Sequence, residues 1–210
     1  MNKKTITLLV ALVTVAATSS FAPASEMTYN GMQNARNVKL HAYGMLADGK
    51  TVRAGQTKIN WEGQDYLGYC VDIDHYVGTS EVTPISIYEV NNGHLAAYLF
   101  NTYGADADTS LEAAALSVAI WEVINETDAE TFGVDLNDGY FYISNNSTVA
   151  AAANALLRNL PETYLPVPEP LVLHSECKQD IMIQGQIPEP ATMSLVALGG
   201  LGALLRRRSR

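Results

Sequence analysis

Cysteine is nearly absent: 210 residues contain only Cys70 and Cys177. Two cysteines cannot staple a small disulfide-built domain, although one Cys70–Cys177 bridge remains open to a chain in an oxidising compartment. Basic residues are also few away from the termini. Between Ser25 and Ile187 there are seven Lys or Arg against twenty-one Asp or Glu, a balance of −14. A phosphate backbone would be repelled, so nucleic acid is excluded as an expected partner. His41, His75, His94 and His174 show no zinc spacing, and there is no glycine-rich phosphate loop, nucleophile elbow or paired-cysteine motif. No internal repeat is visible. The expectation is a non-enzyme without metal or cofactor.

What is present is concentrated at the two ends. Lys3 and Lys4 precede an apolar run over 6–17, then Ser19, Ser20 and the small-residue site Ala22-Pro23-Ala24. This is the order of a secretory signal peptide, so residues 1–24 are expected to be removed and the mature chain to begin near Ser25. At the other end, residues 191–205 are uncharged and mostly apolar, and Arg206, Arg207, Arg208 and Arg210 follow. Fifteen helical residues reach roughly 22 Å, short of a ~30 Å hydrocarbon core. A tail held briefly and then cut can be this short, and arginines on the cytoplasmic side put the domain outside. Pro188-Glu189-Pro190, the apolar segment and the arginine cluster together resemble the PEP-CTERM signal read by exosortases. That resemblance implies 187–210 as a sorting signal with a short transmembrane helix and transient membrane anchoring. It further implies a membrane transpeptidase-like enzyme that cuts near Pro188–Pro190 and delivers the domain to the cell surface or an extracellular polysaccharide matrix. The signal is an address, not an activity.

Residues 25–186 remain as one domain with room for a sizeable core. Runs over 38–46 and 58–72 mix aromatic and β-branched residues with polar ones and are broken by Gly44, Asp48-Gly49 and Gly63. They predict antiparallel strands joined by turns. Residues 171–173 and 180–186 predict a late hairpin, preceded by a linker-like stretch over 160–170 with four prolines. Between these, 93–103, 109–125 and 147–160 carry alanine and leucine at helical spacing. Thr109-Ser-Leu-Glu112 has capping-box spacing, and the apolar circumference that follows predicts a buried central helix. Strands at both ends of the mature chain around an inserted helical subdomain make an α+β fold with an antiparallel β-sheet.

Two segments stand out: Tyr69-Cys70-Val71-Asp72 on a predicted strand, and Ala115-Leu-Ser117-Val-Ala119-Ile120-Trp121 on the central helix. In this order they resemble the thioester domain family of bacterial surface adhesins. In that family the cysteine of such a strand condenses with the glutamine of a Gln-x-Ala-Ile-Trp helix to form an internal thioester that captures amines. By this resemblance Cys70 matches the thioester cysteine, Asp72 the strand motif, and Ala119, Ile120 and Trp121 the helix motif. The glutamine position falls on Ser117, whose hydroxyl cannot supply the acyl group. Three states are therefore open to Cys70: a buried inert thiol, a disulfide with Cys177, or a thioester through another glutamine such as Gln64 or Gln179. Trp121 reads first as core packing.

Asp72, Asp74 and His75 would put two carboxylates on one strand face, too few for calcium. Asp106-Ala-Asp108-Thr-Ser110 starts like a calcium loop but has Leu111 and Ser117 where glycine and glutamate are needed, so helix capping explains it better. The leading expectation is a surface or matrix protein with an adhesion or biofilm role, bound to extracellular polysaccharide or another surface ligand, with no intact thioester. The rivals are a covalent adhesin using a Cys70–Gln thioester and a hydrolase with Cys70 as nucleophile.

Overall fold

The computed structural model describes residues 24–126, 135–137 and 139–185. The signal peptide and the sorting tail lie outside the described residues. Among the described residues seven strands and three α-helices follow one another: β1 (Ser25–Ala42), β2 (Thr51–Trp61), β3 (Gln64–Cys70), β4 (Ser80–Ser86), α1 (Gly93–Tyr103), α2 (Ser110–Asn125), β5 (Phe141–Ser144), α3 (Ser147–Leu157), β6 (Leu171–His174) and β7 (Ile181–Ile183). The strand order is β2-β3-β7-β6-β4-β1-β5, and β1 also pairs with β2, so the pairing closes on itself. Every pairing is antiparallel, and β6 and β7 from the late chain sit between β3 and β4 from the early chain. This is an α+β fold whose sheet is built from both ends of the domain.

β1 is longer than the sequence suggests. The expected strand begins at 38, and the added first half holds Asn30, Gly31 and Asn34. In the structure these residues form two register shifts against β2, with Gly31 at φ 96 and Asn34 at φ 47. Such bulges absorb an extra residue and bend the strand without ending it. The expected strand over 38–46 stops at Ala42, and the 58–72 run turns back at Glu62 and Gly63, where φ is 52 and 78. β3 ends at Cys70, so Asp72 and Asp74 lie in the following loop instead of on one strand face.

α2 is the central element. Thr109 caps it: its hydroxyl accepts from the Glu112 N–H at 3.2 Å, and the Glu112 carboxylate accepts from the Thr109 N–H at 2.9 Å. Every residue from Ala113 to Asn125 is buried, packed against β1, β2, α1 and α3. Gly68 marks a close approach of β3 to β7, since a Cβ there would sit 2.6 Å from Ile181 Cγ2 and from the Met182 carbonyl oxygen. Only glycine lets β3 and β7 come this close.

One group of expectations is corrected. Among the described residues no helix is long and apolar enough to cross a membrane. α2, at 16 residues, spans only about 24 Å. The segment 191–205, which was to carry the span, lies outside the described residues, and its own helical reach falls about 8 Å short of a hydrocarbon core. The transmembrane helix, the membrane as a partner through the tail, and the transient membrane anchoring are accordingly withdrawn.

Candidate functional site

Cys70 ends β3, where it pairs with Ile181 of β7 on one side. On the other, β2 places Thr57 beside it, Oγ1 lying 3.5 Å from the Cys70 sulfur. From above, α2 lowers Trp121, whose indole N–H donates to the Cys70 carbonyl oxygen at 2.9 Å. That carbonyl belongs to the last residue of the strand, so the indole ties helix to sheet where the ladder runs out. Cys70 and Trp121 are 3% and 2% exposed. Burial pushes the Cys70 thiol up to about 12, with Thr57 pulling the other way and the Asp72 charge adding to the rise. At neutral pH only about one thiol in 10⁵ is ionised.

Ser117, one turn before Trp121, is 1% exposed, and its hydroxyl makes no hydrogen bond with any described residue. Ser117 is therefore buried but unbonded to Cys70, whose thiol is partnered by Thr57. Ala119 and Ile120 are fully buried and belong to the core. Cys70 and Cys177 are both free thiols, one buried and one exposed in the turn between β6 and β7. Pro188, Glu189 and Pro190 lie outside the described residues.

Beneath the β1–β2 ribbon opens a cavity of about 320 Å³ with Cys70 and Trp121 in its lining. Met32, Leu40, Val52 and Ile73 add apolar wall, and Lys50, Arg53, Asp74, His75, Tyr76 and Gln179 add polar groups. Its loop side is organised by Asp72. One of its oxygens accepts from the Asp74 N–H at 2.7 Å, and the other lies 2.6 Å from His75 Nδ1. That contact, first, and the Asp72 charge, second, raise the His75 pKa above its ordinary value. Among the described residues no three His, Cys, Asp or Glu side chains are grouped to hold a metal.

Sequence reasoning named Cys70 and Trp121 and missed the groups that complete their surroundings. Thr57 sits on a separate strand, and nothing local marks it. The His75–Asp72 pair was visible as spacing, but its placement at the cavity of Cys70 is tertiary. An imidazole oriented by a carboxylate beside a cysteine has two parts of a nucleophilic triad. The thiol, however, is bonded to Thr57 and held neutral by burial, so the third part is not activated.

Residues 186–208 match the PEP-CTERM protein-sorting motif. The match covers the tail and stops where the described domain begins. No match was found among curated proteins or solved structures.

Proposed function

We propose that this chain is an exported protein of the cell surface or extracellular matrix, handed on by an exosortase-type enzyme, whose domain works by binding and not by catalysis. The observation that carries the reading is the sorting motif at 186–208, in which Pro188-Glu189-Pro190 precedes an apolar stretch and an arginine cluster. The domain is then a thioester-like module that has lost its acyl donor and serves adhesion or the polymer layer around the cell. Ser117 in place of glutamine supports this, as does a Cys70 thiol that is buried, neutral and hydrogen-bonded. The same features speak against a hydrolase, which needs an ionisable nucleophile.

Intact mass of protein recovered from the cell surface tests the sorting. The expected product begins near Ser25, ends near Pro188–Pro190 and lacks the arginine peptide. Surface material that still carries Arg206–Arg210 would sink the reading.

A second reading, the covalent adhesin, draws on one observation: Gln179 lines the same cavity as Cys70. Gln64 does not compete, because it stands six residues along the strand from Cys70, roughly 20 Å away. A purified chain about 17 Da light, restored by methylamine, would favour this second reading, since condensation of thiol and amide releases ammonia. The first reading expects the unmodified mass.

A further inference from the structure

The cavity beside Cys70 has an apolar floor and a cationic mouth. Each polar group at the floor is already engaged: the Trp121 N–H with the Cys70 carbonyl, and the Cys70 thiol with Thr57. An occupant therefore meets only carbon, sulfur and an indole face at the buried part of the lining, which Leu40, Ala47 and Ile73 complete.

The mouth differs. Arg53 is exposed on β2 and makes no hydrogen bond or ion pair with any described residue, while the Tyr29 hydroxyl across from it feels its charge. Lys50 lies over the Tyr76 ring, its Nζ 5.5 Å from the centroid and 3.3 Å from the Tyr76 hydroxyl, and likewise has no carboxylate partner among the described residues. Two carboxylates of the loop after β3, Asp74 in the lining and Asp72 next to it, already hold other groups. Asp74 accepts from the Leu46 N–H at 2.9 Å, and Asp72 holds His75. Of only seven Lys or Arg between Ser25 and Ile187, two line this one cavity, and neither is met by a carboxylate among the described residues. The domain's excess negative charge does not cancel them, because at ~0.1 M salt fields fade within roughly 10 Å.

From this arrangement we infer that the cavity binds a small amphipathic carboxylate, its apolar body on the Cys70–Trp121 floor and its carboxylate between Arg53 and Lys50. The volume of about 320 Å³ lies at the lower end of ligand sites, which suits a single medium-chain or aromatic acid. A sugar acid fits worse, since its hydroxyls would face a floor whose hydrogen bonds are spent. This inference rests on the reading of the domain as a binding module and gives that module its ligand class.

Trp121 reports on the site directly. The chain has one other tryptophan, Trp61, whose N–H is bonded to the Ser25 hydroxyl at 2.7 Å. In the full-length Trp61→Phe chain, octanoate is expected to shift Trp121 emission saturably. Octanol should bind at least tenfold more weakly, and glucuronate should cause no shift. Arg53→Gln should weaken octanoate at least tenfold and leave octanol unchanged. Isothermal titration of the unsubstituted chain should return the same ranking, independent of the reporter. A flat response to octanoate overturns the inference. So does octanol binding as well as octanoate, glucuronate binding more tightly, or an Arg53→Gln variant that binds octanoate as before. A correctly sorted chain that ignores octanoate would sink this inference alone, whereas a missorted chain that binds it would sink only the sorting.

Discussion

Trp121 and Glu122 are neighbours on α2, both buried, and their surroundings could hardly differ more. Successive helical residues point about 100° apart, so one looks toward β3 and the other away from it. On the Trp121 side, indole N–H, Cys70 carbonyl, Cys70 thiol and Thr57 hydroxyl form bonded pairs without a formal charge. On the Glu122 side stand Glu126 and Asp135, and no described residue gives either oxygen of Glu122 a hydrogen bond of ordinary geometry, though its side chain is fully buried. Burial, then the Glu126 charge, then that of Asp135, push its pKa up to about 9, with only the Asp135 backbone N–H pulling back. Glu122 is therefore a neutral acid at neutral pH. One helix anchors the sheet through satisfied dipoles on one flank and stores a titratable group on the other. Of these buried groups, only Glu122 couples folding to pH across the neutral range.

The largest way to break this contrast is to remove the anchor. Trp121→Ala is expected to cost roughly 3–5 kcal/mol, the range for deleting a buried aromatic. Trp121→Phe should keep most of the packing and lose the bond to the Cys70 carbonyl, about 1–2 kcal/mol. Denaturant melts measure both. A loss under about 1 kcal/mol for Trp121→Ala would show that α2 is not clamped to β3.

The next effect belongs to the other flank. The folded pKa of Glu122 is about 9, above its reference value of 4.5. Its contribution to stability is thus fully present below pH 4.5 and lost as pH rises through 9. Between those values the unfolded chain releases a proton that the folded one keeps, a slope of up to about 1.4 kcal/mol per pH unit. Wild type should melt lower at pH 8.5 than at pH 5.5, and Glu122→Gln should remove the Glu122 part of that difference, leaving the fall from His75 and His174, whose pKa values Asp72 and Asp180 raise. Parallel pH profiles for the two proteins would mean that Glu122 is ionised and hydrated in the fold.

The two flanks also differ in how far the sequence revealed them. The helices could be read because their signals are local: Gly93–Tyr103 and Ser110–Asn125 follow from apolar spacing and a capping box. The late hairpin could be read for the same reason. β4 and β5 could not, since their partners are more than forty residues away, as in Met27 with Ser80 and His41 with Tyr142. Cys70 and Trp121 were visible through motif resemblance, but Thr57 was not, because its role comes from strand register. Glu122 did leave a signal, a lone carboxylate in an apolar run, yet only the closed packing shows that no described residue gives it a hydrogen bond of ordinary geometry. Thr57→Val sharpens the point. Removing the partner of a buried thiol should cost about 1 kcal/mol in a denaturant melt, and a neutral result would mean that the 3.5 Å contact carries no stability.

The smallest effect is expected at Ser117, and its sign matters more than its size. The hydroxyl is buried on α2 without a hydrogen bond to any described residue, whereas most buried polar atoms find one. A desolvated, unbonded hydroxyl destabilises the fold, so Ser117→Ala should be neutral or stabilising by roughly 0.5–1 kcal/mol. The change leaves the backbone helical, and alanine favours that conformation more than serine does. Both contributions have the same sign. Thr57→Val and Ser117→Ala thus form a pair: each deletes one buried hydroxyl near the Cys70–Trp121 anchor, but only the first deletes a bond. If both destabilise by about 1 kcal/mol, Ser117 has a partner in solution and the contrast between satisfied and orphaned groups fails at this position. If Ser117→Ala stabilises, the Ser117 hydroxyl has no structural duty in this chain. Ser117→Gln is then the substitution with which to ask whether the remaining Cys70 pocket can still close a thioester, read as a loss of about 17 Da.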